Sequence, residues 1–371
     1  MYRTFSHAST TGTRPDFFSF FPVPDFLSMR TLGFDLSDNS IKLVELIKKN
    51  GLMRLGFYAA SDIAPGTIES GQIKNYTGLQ KVITELQRRH KFVFVDASLP
   101  EQKAYLYTTT IEGGEDVLPR ENIEFQLEEN IPLTKAEAVF DFEIYKTYTK
   151  DKKTYRDVTV SAISRPVSES YVALLKRSGL RPVSLSIEAE AVANAVVPDG
   201  DEGTYLIIDF GKTRTGISVV SEGVTRLTST TEIGGADITK RIAEKMKVSE
   251  SDAEALKREH GLLGSGEALQ VSGVIEEGLS SITREVEGQL RYWHSKTDNR
   301  GFRSKRVATI LLCGGGALLK GIEAHLKKNL SVNVELANVW SNVTFPKNYV
   351  PEVSFEDSLG YAAAIGLALK H

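Results

Sequence analysis

The sequence predicts an α/β protein built from two related domains, and three observations carry that expectation. Strand-like and helix-like segments alternate along the 371 residues. The stretch "LGFDLSDNSIKLVEL" (32–46) is matched by "LIIDFGKTRTGISVV" (206–220). Each has an apolar strand, an aspartate, a polar turn and an apolar return strand. A strand, "RVATILLCGGG", then runs into the three glycines 314–316. An internal match at such a separation indicates two half-domains and not a short-period solenoid. The length suffices for two buried cores.

Residues 1–30 read as a Phe- and Pro-rich arm. Phe17, Phe18, Phe20, Phe21 and Phe26 are interrupted by Pro15, Pro22, Pro24, Asp16 and Asp25, which is too polar for the core of a signal peptide. Such an arm docks on its own domain or stays loose, or else it serves a partner or a membrane surface. The first domain is expected over 31–197. It opens with a hairpin turning at Ser37 to Asn39, followed by a third strand, "LMRLGFYAASDI", that ends at Pro65 and Gly66. A helix over 76–90 and the strand "KFVFVDASL" follow. "PRENIEFQLEENI" has Pro119 where a first-turn proline belongs, with apolar residues at helical spacing. A hairpin turns at 150–153, and a helix (167–178), a strand (182–187) and a helix (188–197) close this half. "PDGDEG", 198–203, is the domain boundary.

The second domain, 204–371, repeats the opening hairpin. A helical subdomain over about 234–300 holds "ADITKRIAEKMK", "SESDAEALKREHG" and a long helix at 271–295. The Val271, Ile275, Ile282, Val286, Leu290 and Trp293 stripe of that helix reads as core. After the glycines come a helix at 318–329, the strand "VNVEL" and a C-terminal helix over about 356–370.

Composition narrows the function. Hydrophobic residues make up 41% and charged residues 25%, as in soluble globular proteins. A net charge of -3 gives no reason to expect nucleic acid as a partner. Cys313 is the sole cysteine, which excludes an internal disulfide and fits a reducing compartment. No run approaches the roughly 18 apolar residues of a spanning helix. The six histidines show no metal spacing, and no Ser-His-Asp arrangement can be argued. "RGFRSKR", 300–306, reads as a solvated basic connection rather than a binding patch.

Two familiar nucleotide motifs fail on spacing. Gly211-Lys212-Thr213 ends like a P-loop, but Leu206 stands where the first glycine is required, and the turn leads into a strand. In "ILLCGGGALLKG", Leu319 replaces the third glycine of a dinucleotide fingerprint. The paired hairpins are more informative. Asp35 and Asp209 each end a buried strand, where a bare carboxylate costs several kcal/mol unless a cation or donors satisfy it. Turn amides beside such carboxylates suit a triphosphate with Mg²⁺.

This combination resembles the actin-like ATPase fold: two related domains around a nucleotide cleft. "GFDLSDNSIKLVEL", "EIGGADITKRIAE", "LLCGGGALLKGI" and "LGYAAAIGLALK" are similar to signature segments of the PilM family of type IV pilus assembly proteins, over about residues 31–371. The resemblance implies ATP and Mg²⁺ as ligands. It puts Asp35, Ser37, Asp38, Asn39 and Lys42 in a first phosphate loop, and Asp209, Gly211, Lys212, Thr213 and Arg214 in a second. Asp35 and Asp209 would hold the metal through water. Gly314, Gly315, Gly316 and Ala317 would form the adenosine loop, and Gly235 would also bind the nucleotide. In "DAEALK", Glu254 would meet the ribose and Lys257 the adenine. A water-positioning acid would be Glu188 or Glu190, and the sequence does not say which. Ser37 stands where the family usually has glycine, which implies a stiffer first loop and slow hydrolysis.

The resemblance also implies a small inserted α/β subdomain (SHS2-like) over about 66–165. It implies a cytoplasmic scaffold at the inner face of the cytoplasmic membrane, acting in pilus assembly or a related type II secretion system. The implied partner is the N-terminal cytoplasmic segment of a PilN-type inner-membrane protein, alongside other assembly proteins and self-association. Two alternatives make different demands. An actin-fold small-molecule kinase needs a buried general base, for which Asp96 and Asp141 are poor candidates. An FtsA-like cell-division tether needs a C-terminal amphipathic tail, whereas this sequence closes on "GLALKH".

Overall fold

The computed structural model describes residues 30–49, 51–114, 118–297 and 303–370. The Phe-rich arm therefore lies outside the described residues, apart from Arg30. The chain opens with a meander of β1 (Thr31–Leu36), β2 (Ser40–Lys49) and β3 (Leu52–Asp62). A two-residue ribbon follows, β4 (Ile68–Glu69) with β5 (Gln72–Ile73). Next is α1 (Tyr76–His90), started by the Asn75 side chain accepting from the Gly78 amide at 2.9 Å. Its Leu79, Ile83 and Leu86 fall at helical spacing and are buried. It feeds β6 (Phe94–Leu99), which lies parallel to β1.

A separate layer comes next: β7 (Ala104–Glu112), α2 (Pro119–Asn130), β8 (Ala138–Lys150) and β9 (Lys153–Ser164), with β9 in the centre of the three strands. Then α3 (Arg165–Arg177), β10 (Arg181–Ile187) and α4 (Glu188–Val196) complete the first half. The second half consists of β11 (Thr204–Phe210), β12 (Thr215–Ser221), β13 (Val224–Thr231), α5 (Gly235–Met246), α6 (Glu250–His260) and α7 (Leu269–Ser295). It ends with β14 (Thr309–Cys313), α8 (Ile322–Leu330), β15 (Asn333–Leu336), α9 (Phe355–Ser358) and α10 (Ala362–Ala368).

The two main sheets have one topology. The first is ordered β10-β6-β1-β2-β3 and the second β13-β12-β11-β14-β15. In each, the first strand pairs antiparallel with the second and parallel with the fourth, so the internal match in sequence is a repeat in space. The α7 stripe from Val271 to Trp293 is buried as its spacing implies.

Two helices tie the halves together. α10 packs on α4 and also on β1, β2 and β6 of the first domain, while α4 reaches β12 and β13 of the second. The contacts are backbone-close. A Cβ on Gly33 would lie 1.8 Å from the Ala364 carbonyl oxygen, and one on Gly366 would lie 1.7 Å from that of Ala191. Small residues at the crossing are therefore a geometric requirement, and a single apolar core runs from Val44 through α4 and α10 to α7.

Some boundaries differ from expectation. Strand 94–99 belongs to the first main sheet, between β1 and β10, so the separate layer starts at residue 104 and not near 66. The helix expected over 356–370 is broken by a 3-10 turn at Leu359–Tyr361, because the Leu359 carbonyl accepts the Gly314 amide at 2.9 Å. β7 and β13 carry no clear apolar alternation. Their "YTTT" and "TSTT" runs make strands of β-branched residues with intermediate burial.

The three-stranded layer touches both domains. Ser161 donates to Glu190 of α4, and Lys296 at the end of α7 donates to Thr108 at 3.3 Å. A bulge between Ile144 and Lys146 turns Tyr145 out of register, and the Arg226 guanidinium lies 3.2 Å from its ring centroid. Among the described residues no helix is long and apolar enough to cross a membrane.

Candidate functional site

Parallel strands of both sheets end at the same place, and each contributes one element of a cleft. Asp35 is the next-to-last residue of β1 and Asp209 that of β11, β10 runs straight into Glu188, and β14 ends before Gly314. β6 runs into a 3-10 turn beginning at Glu101. In open α/β sheets the crevice beyond the carboxyl ends of strands is where ligands are held.

In the first hairpin Asp35 is cross-strand from Lys42, and the Ser98 hydroxyl reaches its carboxylate. The turn is folded by Ser37, whose hydroxyl donates to the Ser40 carbonyl and to Asn39 Oδ1, each at 3.1 Å. Ser37 has a negative φ, so serine fits here without backbone strain. Asp38 accepts from the Gly71 amide at 3.2 Å.

In the second hairpin Asp209 is opposite Gly216 and beside Cys313. The Gly211 amide closes the turn on the Arg214 carbonyl at 3.0 Å, leaving Lys212 and Thr213 exposed at the tip. The start of α5 is stitched to this turn: the Gly235 amide donates to Gly211 and the Ala236 amide to Lys212, at 3.0 and 2.8 Å. Gly314, at φ +80°, closes on the same aspartate; a Cβ there would lie 2.4 Å from Asp209 Oδ1.

Arg214 crosses the cleft. Its guanidinium pairs with Asp38 at 3.2 Å and with Glu188, and all three side chains are nearly buried. Burial alone would lower its pKa, but Glu188 and Asp38 more than reverse this and hold it firmly charged. The aspartates behave oppositely. Burial, reinforced by Glu188, pushes Asp35 up to about 7 and Asp209 up to about 6, against the pull of Lys42. Asp35 Oδ1 is buried with no hydrogen-bond partner.

Glu101 is a further acid here that the strand and helix pattern does not single out. It is buried, and Oε1 has no hydrogen-bond partner. Burial, then Glu188, pushes its carboxyl well up, while Arg214 and the Thr230 hydroxyl oppose the shift. The available signal was an acid just past the end of a buried strand, "VDASLPE". It is also the kind of buried acid that the kinase alternative requires.

Other sequence candidates divide. Glu188 faces the cleft through Arg214, whereas Glu190 accepts from Ser161 and faces the three-stranded layer. Glu254 and Lys257 pair with each other at 2.6 Å beside the start of α5, where Lys257 also donates to the Gly235 carbonyl at 2.9 Å. Although burial works the other way, Lys257, Thr239 and Arg258 hold Glu254 down at about 2. Among the described residues no three acidic, histidine or cysteine side chains stand close enough to hold a metal ion directly. The unpartnered, buried Asp35 oxygen is of the kind that the water shell of a cation would satisfy.

A family profile described as type IV pilus assembly protein PilM matches residues 33–371. The chain belongs to the PilM family of type IV pilus assembly proteins. A PilM–PilN type IV pilus biogenesis complex matches with a TM-score of 0.76 and 22% identity, over 92% of this chain and 98% of that one. MreB5 of Spiroplasma citri bound to ADP gives 0.54 and 14%, over 92% and 95%. The cell division protein FtsA of Escherichia coli K12 is 23% identical over 216 residues, which is 52% of this chain and 51% of FtsA. The chain thus spans about half the length of the curated relatives it matches. The structural likenesses establish the fold of this PilM-family chain as that of the actin-like ATPases.

Proposed function

We propose that this chain is a nucleotide-binding scaffold: it holds ATP with Mg²⁺ in the cleft and presents its three-stranded layer to a membrane-anchored partner. The observation that carries the nucleotide half is the convergence of two aspartate hairpins and a glycine turn on one cleft, with a buried carboxylate oxygen lacking a partner. Asp35 and Asp209 would hold the metal's waters, and the amides of Lys212 and Thr213 the phosphates, the Gly211 amide being taken by the Arg214 carbonyl. Gly314 to Ala317 would receive the adenosine, beside Glu254 and Lys257. The bound cation would supply charge neutralisation for the phosphates.

For the partner half, PilM–PilN likeness supports a PilN-type N-terminal segment from the inner membrane's cytoplasmic face, taken up in a groove between the inserted layer and the first domain. Such a segment becomes ordered on binding, so micromolar affinity is expected. The test is calorimetry of a PilN-type peptide against the full chain and a variant lacking residues 1–28, with and without Mg-ATP. Binding by either supports the scaffold, and binding by neither sinks it. For the nucleotide half, Asp209→Ala should weaken Mg-ATP binding at least tenfold, or about 1.4 kcal/mol; unchanged affinity would remove this assignment of the cleft.

A further inference from the structure

Between the second sheet and α4 lies a small pocket whose polar lining is Glu101, Glu188, Asp209 and Ser218, with Gly216 on one wall. The space open to a water's centre is about 10 Å³. One water needs roughly 10–15 Å³ and two to four polar partners, and three carboxylates and a hydroxyl supply them.

These acids are not equally available. Glu188 is held by Arg214, and Asp209 is closed over by Gly314. Glu190 is turned to Ser161. Glu101 alone among these four keeps a buried carboxylate oxygen, Oε1, without a hydrogen-bond partner. Its other oxygen lies against Gly216, where a Cβ would stand 3.4 Å from Oε2.

We propose that this pocket seats the attacking water of a slow nucleoside triphosphate hydrolysis, and that Glu101 orients that water. The inference rests on the nucleotide reading above. The water oxygen bonds to the terminal phosphorus, and the bond from that phosphorus to the bridging oxygen breaks. The electron pair stays on the departing diphosphate. The water's proton passes to the Glu101 carboxylate and then to solvent, so the products are nucleoside diphosphate, inorganic phosphate and one proton.

The experiment uses the full chain, Glu101→Gln and Gly216→Ala. The second variant keeps the acid but puts a methyl into the pocket at ordinary contact distance, so it should fold. Calorimetry with a non-hydrolysable ATP analogue and Mg²⁺ reads binding, single-turnover assays read hydrolysis, and a high-resolution crystal structure reads the water. The expected result is analogue affinity within threefold of the parent in both variants, with hydrolysis reduced at least about a hundredfold. One ordered water should lie at Glu101 in the parent and be missing from Gly216→Ala. A dry pocket in the parent, a parent that binds but never hydrolyses, or parental rates in either variant would overturn the role of Glu101. A parent that binds no analogue at all overturns the nucleotide reading itself.

Discussion

Asp35 carries a cost that depends on pH. Burial raises its folded pKa to about 7, above the ordinary carboxylate value of 3.8. Its contribution to stability is therefore complete below about pH 4 and is lost as pH rises through about 7. Asp209 acts in the same direction with its upper limit near 6. Asp35→Asn should accordingly be more stable than the parent at pH 8, on the order of 3 kcal/mol, with the difference vanishing near pH 4. Urea denaturation across that range checks this, and a difference independent of pH would refute it. A cation would favour the ionised carboxylates, so Mg-ATP binding at pH 6 should release protons and at pH 8.5 almost none. Calorimetry in buffers of different ionisation enthalpy reads that number directly. Asp35 and Asp209 were legible in sequence because each interrupts an apolar strand at a repeated place. Glu101 was not, since a lone acid after a strand is usually a solvated turn residue; only the tertiary arrangement shows that it points inward.

At the scale of elements, the hairpins, α1 and α7 were readable because one period dominates each of them. The breaks were harder to foresee. What interrupts the last helix is a hydrogen bond from a glycine turn more than forty residues earlier, and no local pattern encodes it. The crossing of α4 and α10 was equally hidden, since a run of alanines with one glycine does not reveal which backbone it must approach. Gly366→Ala should destabilise by about 3 kcal/mol, at the upper end of overpacking costs. Gly273→Ala, on an open face of α7 with nothing within 4 Å of the added carbon, should instead gain up to about 1 kcal/mol. Chemical denaturation of the two variants side by side makes the comparison, and equal effects would mean that the helices can part without strain.

Across the whole molecule, Arg214 is the side chain through which the second domain grips both the 37–39 turn and the linking helix α4. Removing it leaves Glu188 and Asp38 nearly buried without a counter-charge. Arg214→Ala should cost about 3–5 kcal/mol, and adding Glu188→Gln should recover part of that loss. An additive double variant would show that the pair is not coupled. Hydrogen exchange in Arg214→Ala should rise first in the 37–39 and 211–214 turns, the two segments it joins.

The packing of α10 on β1 has a consequence for how the protein is made. The face of β1 around Gly33 is covered by residues that follow it by more than three hundred positions. At about 5–20 residues per second, a ribosome needs roughly tens of seconds to deliver them. Throughout that interval the nascent first sheet has one face without its native cover, while its other face can already close over α1 and α3. A nascent chain arrested before residue 362 should thus be open to protease in its first domain and bound by chaperones, and release of the last helix should protect both halves at once.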